Sequence, residues 1–69
     1  MKLSARNTLK GKVKHVIHGA VNSEITLEVA PGIEIVSVIT KSSAERLGLE
    51  AGHDVYAVIK ASEVMLAID

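Results

Sequence analysis

The sequence predicts an all-β domain with one short helix, folded as a small five-stranded Greek-key barrel of the OB type. Three observations carry this expectation. Aliphatic and polar residues alternate with a period of two over long stretches of the chain, the pattern of half-buried strands. Breaks at Gly19, at Ala30-Pro31-Gly32 and at Glu50-Ala51-Gly52-His53-Asp54 cut that alternation into strand-length pieces. A single helix signal lies between the third and fourth pieces. Three strands, a short helix and one or two further strands within 69 residues fit an OB barrel, whose closure removes most exposed edges. An open sheet or a swapped sandwich satisfies the same order.

In the first strand Lys10, Lys12 and Lys14 alternate with Leu9, Gly11 and Val13, and Gly19 ends it. From Val21 to Val29 every odd position except Ser23 is aliphatic (Val21, Ile25, Leu27, Val29), while Asn22, Glu24, Thr26 and Glu28 fill the opposite face. After the Pro31-Gly32 break, the β-branched run from Ile33 to Thr40 reads as the third strand. Ser42-Ser43-Ala44-Glu45 matches the S-x-x-E capping box, in which hydroxyl and carboxylate satisfy amides at a helix start, and Gly48 suits a left-handed stop. Strand character resumes from Val55 to Lys60 and again from Glu63 to Ile68, around the small polar pair Ala61-Ser62.

Composition restricts the class further. The chain has no Cys, Trp or Phe and a single Tyr, so its core is built from Val, Ile, Leu and Ala without disulfide staples. A domain of this size buries only about 60% of its unfolded surface and is marginal alone, which predicts self-association; a mean hydropathy of +0.31 points the same way. The N-terminal residues lack the apolar stretch of a signal peptide, and no run approaches a membrane span, so the expected location is cytoplasmic, with no membrane partner. Eight basic and eight acidic side chains balance, which argues against general attraction to nucleic acid or anionic lipid.

Catalytic and metal-ligand patterns are missing. His15 and His18 fall on opposite strand faces and only His53 joins them, so no zinc site converges. Glu24 and Glu28 share a face but lie roughly 13 Å apart at strand rise, too far for a glycosidase pair. There is no Cys nucleophile, G-x-S-x-G elbow or phosphate-binding glycine loop. The Lys10, Lys12, Lys14 stripe fits either a solvated strand face or a nucleic-acid track. Single-strand binding, however, relies on aromatic platforms as well, and Tyr56 is the one ring available.

Two polar clusters bracket the aliphatic chain: Ser4-Ala5-Arg6-Asn7 and Lys60-Ala61-Ser62-Glu63. They fit solvated strand ends, since Ser, Arg and Lys are mostly exposed residues. They equally fit a site for a small oxygenated anion, because a guanidinium, an ammonium and two hydroxyls supply only N–H and O–H donors to it.

Ser4-Ala5-Arg6-Asn7 with Leu9-Lys10-Gly11-Lys12-Val13, then Gly19-Ala20-Val21-Asn22, Ile39-Thr40-Lys41 and Val58-Ile59-Lys60-Ala61-Ser62-Glu63-Val64-Met65 closely resemble the molbindins, the small Mop-type molybdenum-pterin-binding proteins. The resemblance spans the chain and implies a single Mop domain over residues 1–69, an OB-like subunit and a homohexamer arranged as a trimer of dimers. It implies a non-enzymatic role, cytoplasmic binding and storage of molybdate or tungstate between subunits, and leaves open whether a molybdopterin form is ever the ligand. A nucleic-acid-binding OB module and a purely structural oligomerisation module are the alternatives.

Carried over by motif, the dimer-interface oxyanion pocket uses Ser4, Arg6, Lys60, Ala61 and Ser62 of one subunit with Gly19, Ala20 and Val21 of its neighbour. Asn22, Thr40, Lys41, Ser42 and Ser43 are the implied second pocket. The donor chemistry agrees, because burying a dianion is costly unless its oxygens are met by hydrogen-bond donors. Thr8, Pro31 and Ser42 depart from the family's usual residues, and Ser42 is left to cap the helix, donate to an anion, or do both.

Overall fold

The computed structural model describes every residue from Met1 to Asp69. Strand β1 (Asn7–His18) is long enough to serve two neighbours. Its first half pairs with β4 (Asp54–Ile59), from Asn7 opposite Ile59 to Lys12 opposite Asp54. Its second half pairs with β2 (Asn22–Ala30), from Lys12 opposite Glu28 to His18 opposite Ser23. Strand β3 (Ile33–Thr40) completes an antiparallel sheet in the order β3-β2-β1-β4. The sequence thus places all four of these strands correctly, and β4 returns through the helical connection to lie beside β1.

Helix α1 (Lys41–Leu47) follows β3 without a linker. Gly48 ends it as expected: at φ 63° its amide reaches back to the carbonyls of Ala44 and Glu45. The start differs from the capping-box expectation. Thr40, still extended as the last residue of β3, is the N-cap, and its Oγ1 accepts the Ser43 amide at 3.1 Å. An N-cap must have non-helical backbone angles, and Ser42 is already inside the first turn.

The expected fifth strand over Glu63–Ile68 is not formed, and the sheet is open with four strands rather than closed into a five-stranded barrel. After β4 a 3₁₀ turn (Ala61–Glu63) reverses the chain, and beyond Val64 the backbone makes no hydrogen bond to the rest of the molecule. A strand exists only where an edge meets its N–H and C=O groups, and this segment lies against neither edge of its own sheet.

The core follows from the alternation. Val13, Ile25, Leu27, Ala44 and Ala57 are buried, with Val16, Ile35, Ile39, Leu49 and Val55 packed around them. Two details break the simple period. Between Val13 and His15 the register slips at a bulge, held by the turn before β4: the Val13 amide donates to the His53 carbonyl, and the Gly52 amide to the Val13 carbonyl. The lone polar residue on the odd face of β2, Ser23, is buried rather than tolerated at the surface, and its hydroxyl lies 2.6 Å from His18 Nδ1.

Gly11 is fixed by close approach of backbone. A Cβ there would sit 2.6 Å from the Glu28 carbonyl oxygen and 3.1 Å from Val29 Cγ1, beside the second register slip, between Glu28 and Ala30. Gly11→Ala is expected to cost about 1–3 kcal/mol through overpacking, lowering the thermal midpoint by roughly 5–15 °C for a domain of this size. Calorimetry checks this, with Gly32→Asn as a control expected to lose little, since Asn tolerates the open left-handed position at φ 77°.

Candidate oxyanion site

The polar clusters lie at opposite ends of β1. At its start, Asn7 pairs with Ile59 and donates from Nδ2 to the Ile59 carbonyl at 3.3 Å. One step beyond that pair stand Arg6 and Lys60, followed on the second chain segment by the 3₁₀ turn carrying Ala61 and Ser62. Ser4, Arg6, Lys60, Ala61 and Ser62 are all exposed, and neither Arg6 nor Lys60 has a carboxylate partner. Five of the sequence-predicted pocket residues therefore share one end of the sheet, with both cations free.

At the other end of β1, Gly19, Ala20 and Val21 form the turn into β2. The Gly19 amide donates to the Asn22 carbonyl at 2.7 Å, and a Cβ on Gly19 would approach that oxygen to 2.9 Å. Ala20 and Val21 lie outside the strands, are exposed, and their amides donate to no backbone carbonyl. Two unpaired N–H groups flanked by small side chains are what an anion can use without a bulky neighbour intervening. The twelve residues of β1 separate these amides from Arg6 and Lys60 along the chain.

The residues of the second predicted pocket converge on the Gly19–Val21 end. Asn22 pairs with Thr40, and the Lys41 amide donates to the Val21 carbonyl at 2.8 Å. Thr40 and Ser43 are occupied with one another, Thr40 Oγ1 lying 2.8 Å from Ser43 Oγ, and Arg46 Nη2 reaches Ser43 Oγ at 3.5 Å. Ser42 is exposed and free of hydrogen bonds. Ser43 Oγ accepts from both Thr40 Oγ1 and Arg46 Nη2, so its own proton, like that of Ser42, is left to donate outward.

Sequence reasoning missed His18. Its ring holds the buried Ser23 hydroxyl directly beside Gly19 and thereby ties the two strands together at the base of the turn. The signal was present: Ser23 is the one polar break in the odd-numbered face of β2, and a buried hydroxyl requires a partner.

The Lys10, Lys12, Lys14 stripe is not a free basic track. Lys12 pairs with Asp54 at 2.8 Å, and Lys14 with Glu34 at 2.6 Å and Glu28 at 3.7 Å. The Lys14 hydrogen bond and charge hold the Glu34 carboxyl below its ordinary value of 4.5, and Lys12 does the same for Asp54 below 3.8. Such groups stabilise the fold above their unfolded values and lose that contribution as pH falls through the depressed folded ones. The thermal midpoint is accordingly expected to drop between about pH 5 and pH 2. The drop should shrink in about 1 M salt, because these exposed pairs are screened; calorimetry at the two ionic strengths checks both.

Comparison with known proteins places this geometry. Residues 3–66 match the TOBE domain family model. The chain belongs to the TOBE domain family. Molybdenum-pterin-binding protein 1 of Clostridium pasteurianum is 46% identical to this TOBE domain over 66 residues, covering 96% of this chain and 97% of that one. A molybdate-binding protein from Sporomusa ovata has a structure that superposes with a TM-score of 0.91 at 37% identity, covering 99% of the TOBE domain and all of its counterpart. The cytoplasmic molybdate-binding protein ModG, in a structure with molybdate bound, gives a TM-score of 0.94 at 49% identity over the full TOBE domain and 49% of the ModG chain. The resemblance to Mop-type proteins drawn from the motifs is borne out, and these relatives carry the names of binding proteins rather than enzymes. In the TOBE domain no helix is long and apolar enough to cross a membrane.

Proposed function

We propose that this chain is a non-enzymatic protein that binds molybdate, with tungstate as a congener, reversibly in pockets between subunits, and so stores it in the cytoplasm. The observation that carries this reading is the split donor set. Arg6 and Lys60 stand unpaired beside the start of β1, and the free amides of Ala20 and Val21 stand just past its end, twelve strand residues on. A second copy brings the halves together in this reading. In such a pocket Arg6 and Lys60 supply charge-assisted bonds, each worth roughly 1.5–3 kcal/mol. Ser4 and Ser62 add hydroxyls and the Ala61 turn keeps the wall small, while the neighbour's Gly19, Ala20 and Val21 offer backbone N–H groups.

The assembly we favour is a homohexamer built as a trimer of dimers from single-domain subunits spanning residues 1–69. Asn22, Thr40, Lys41, Ser42 and Ser43 form a second oxyanion pocket in this reading, with Lys41, Ser42 and the Ser43 hydroxyl as its free donors. A ligand held only by the assembled form stabilises it by mass action, so molybdate and assembly are coupled.

Isothermal titration of anion-free protein with molybdate, and separately with sulfate, tests the proposal, with mass measured in parallel by light scattering. Tight uptake of molybdate by an oligomer, with little heat from sulfate, is the expected result. No heat and no thermal stabilisation by molybdate would overturn it.

A further inference from the structure

His18 and Ser23 form the last pair of the β1–β2 ladder before the turn that carries the free amides of Ala20 and Val21. The turn itself has little to hold it. Gly19, Ala20, Val21 and Asn22 are all exposed, so none of their side chains is buried in the core. Two backbone bonds fix it, from the Gly19 amide to the Asn22 carbonyl at 2.7 Å and from the Lys41 amide to the Val21 carbonyl at 2.8 Å. The side-chain hydrogen bond at this end of the hairpin joins His18 Nδ1 to Ser23 Oγ at 2.6 Å.

That bond has a direction. Ser23 is 1% exposed, and no buried side-chain polar atom lacks a partner. A hydroxyl carries one proton, and a buried donor left unmet pays its full desolvation penalty. His18 is the partner Ser23 has, so Ser23 donates and Nδ1 accepts. The imidazole then carries its proton on Nε2, and the ring is held against β2 in one orientation. No carboxylate pairs with this ring to draw it elsewhere.

We infer that His18, acting through Ser23, is a positioning residue for the oxyanion pocket, holding the Gly19–Val21 turn in the shape that presents the Ala20 and Val21 amides together. The inference rests on the assignment of those amides to the molybdate pocket. Donors bind an anion without reorganisation only when they are already aimed at it, and the tolerance of a working site is tight, about 0.5 Å. A lysine can be re-aimed by a change of rotamer. A backbone amide points where its turn points, so the clamp one residue below the turn sets the aim of both.

Three variants separate positioning from direct contact. Ser23→Ala removes the donor and leaves a small apolar side chain in the buried site. In His18→Gln the polar atoms lie one bond further out, where Nε2 stands, so the acceptor for Ser23 is lost while an outward N–H is kept. In His18→Asn the amide oxygen takes the place of Nδ1, so the acceptor is kept and the outward N–H is lost. Titration of anion-free protein with molybdate is expected to show Ser23→Ala and His18→Gln binding about three- to tenfold more weakly, the span of one lost hydrogen bond, with His18→Asn recovering most of that loss. Hydrogen exchange in the same anion-free proteins is expected to be faster at the Gly19 amide by a similar factor in the two weakened variants, while amides paired between β1 and β4 keep their rates.

Unchanged molybdate affinity in both Ser23→Ala and His18→Gln would overturn the positioning role, as would a Gly19 amide that exchanges at its wild-type rate in both. Strong binding by His18→Gln with weak binding by His18→Asn would also overturn it, because the ring would then touch the anion itself. Wild-type protein that takes up no molybdate would overturn the pocket assignment and this role with it, whereas a binding wild type with indifferent variants overturns the positioning role alone. Should Ser23→Ala fail to fold, the two variants at exposed His18 decide.

Discussion

Arg6→Ala is expected to weaken molybdate binding about ten- to a hundredfold while leaving the fold and the assembly unchanged. The guanidinium is exposed and has no partner in its own chain, so its removal takes nothing from the core. What it removes is one charge-assisted interaction with the dianion, roughly 1.5–3 kcal/mol, and each 1.4 kcal/mol is about tenfold in affinity. Lys60→Ala is expected to fall in the same range. The Lys12→Ala change is the control, because Lys12 is a surface lysine already bound to Asp54 and far from the pocket. Titration of the three variants side by side checks the assignment, and equal affinities would remove Arg6 and Lys60 from the site.

Ile25→Ala is expected to cost about 2–5 kcal/mol of stability, the range for deleting a large buried aliphatic side chain. Ile25 is 1% exposed and is the largest fully buried side chain in the molecule. With only six of 69 residues buried, few neighbours exist to close the cavity it leaves. A domain this small has a total stability of about the same order, so the variant should be largely unfolded at 37 °C. Ile17→Ala, at an exposed position on the same sheet, is expected to shift stability by no more than about 0.5 kcal/mol. Chemical denaturation of both variants measures the difference directly.

Most of the strand framework is legible in the residues, because the period-two pattern is a direct consequence of pleating. Gly48 likewise announces the helix end, since few other residues adopt the left-handed conformation at low cost. What could not be read were features that depend on where a second segment lies. The S-x-x-E pattern at Ser42 marks a helix start locally, yet Thr40 caps it because β3 delivers that residue in extended conformation directly before the first turn. The bulge at Val13–His15 arises from the turn before β4, some forty residues away in sequence. The stretch from Glu63 to Ile68 reads as a strand, but residue types do not say whether an edge lies beside it, and none does.

The candidate site was readable in its chemistry and not in its layout. Arg6, Lys60 and Ser62 stand out as donors without acceptors, and the Asn7–Ile59 pair sets Arg6 and Lys60 beside the same end of β1. Neither the free amides at Ala20 and Val21 nor the engagement of Thr40 with Ser43 is visible in residue types, because backbone pairing decides both.

The separation of the two donor sets along β1 also governs counting. If one pocket needs the start of β1 from one chain and its end from another, chains joined head to tail in an open row would always leave one unmatched half at each terminus, giving fewer pockets than chains. Two chains lying antiparallel form two complete junctions and leave none over. For this pocket the saturation ratio in a closed assembly is therefore one anion per polypeptide, at any even number of chains, and a fractional ratio would reveal an open one.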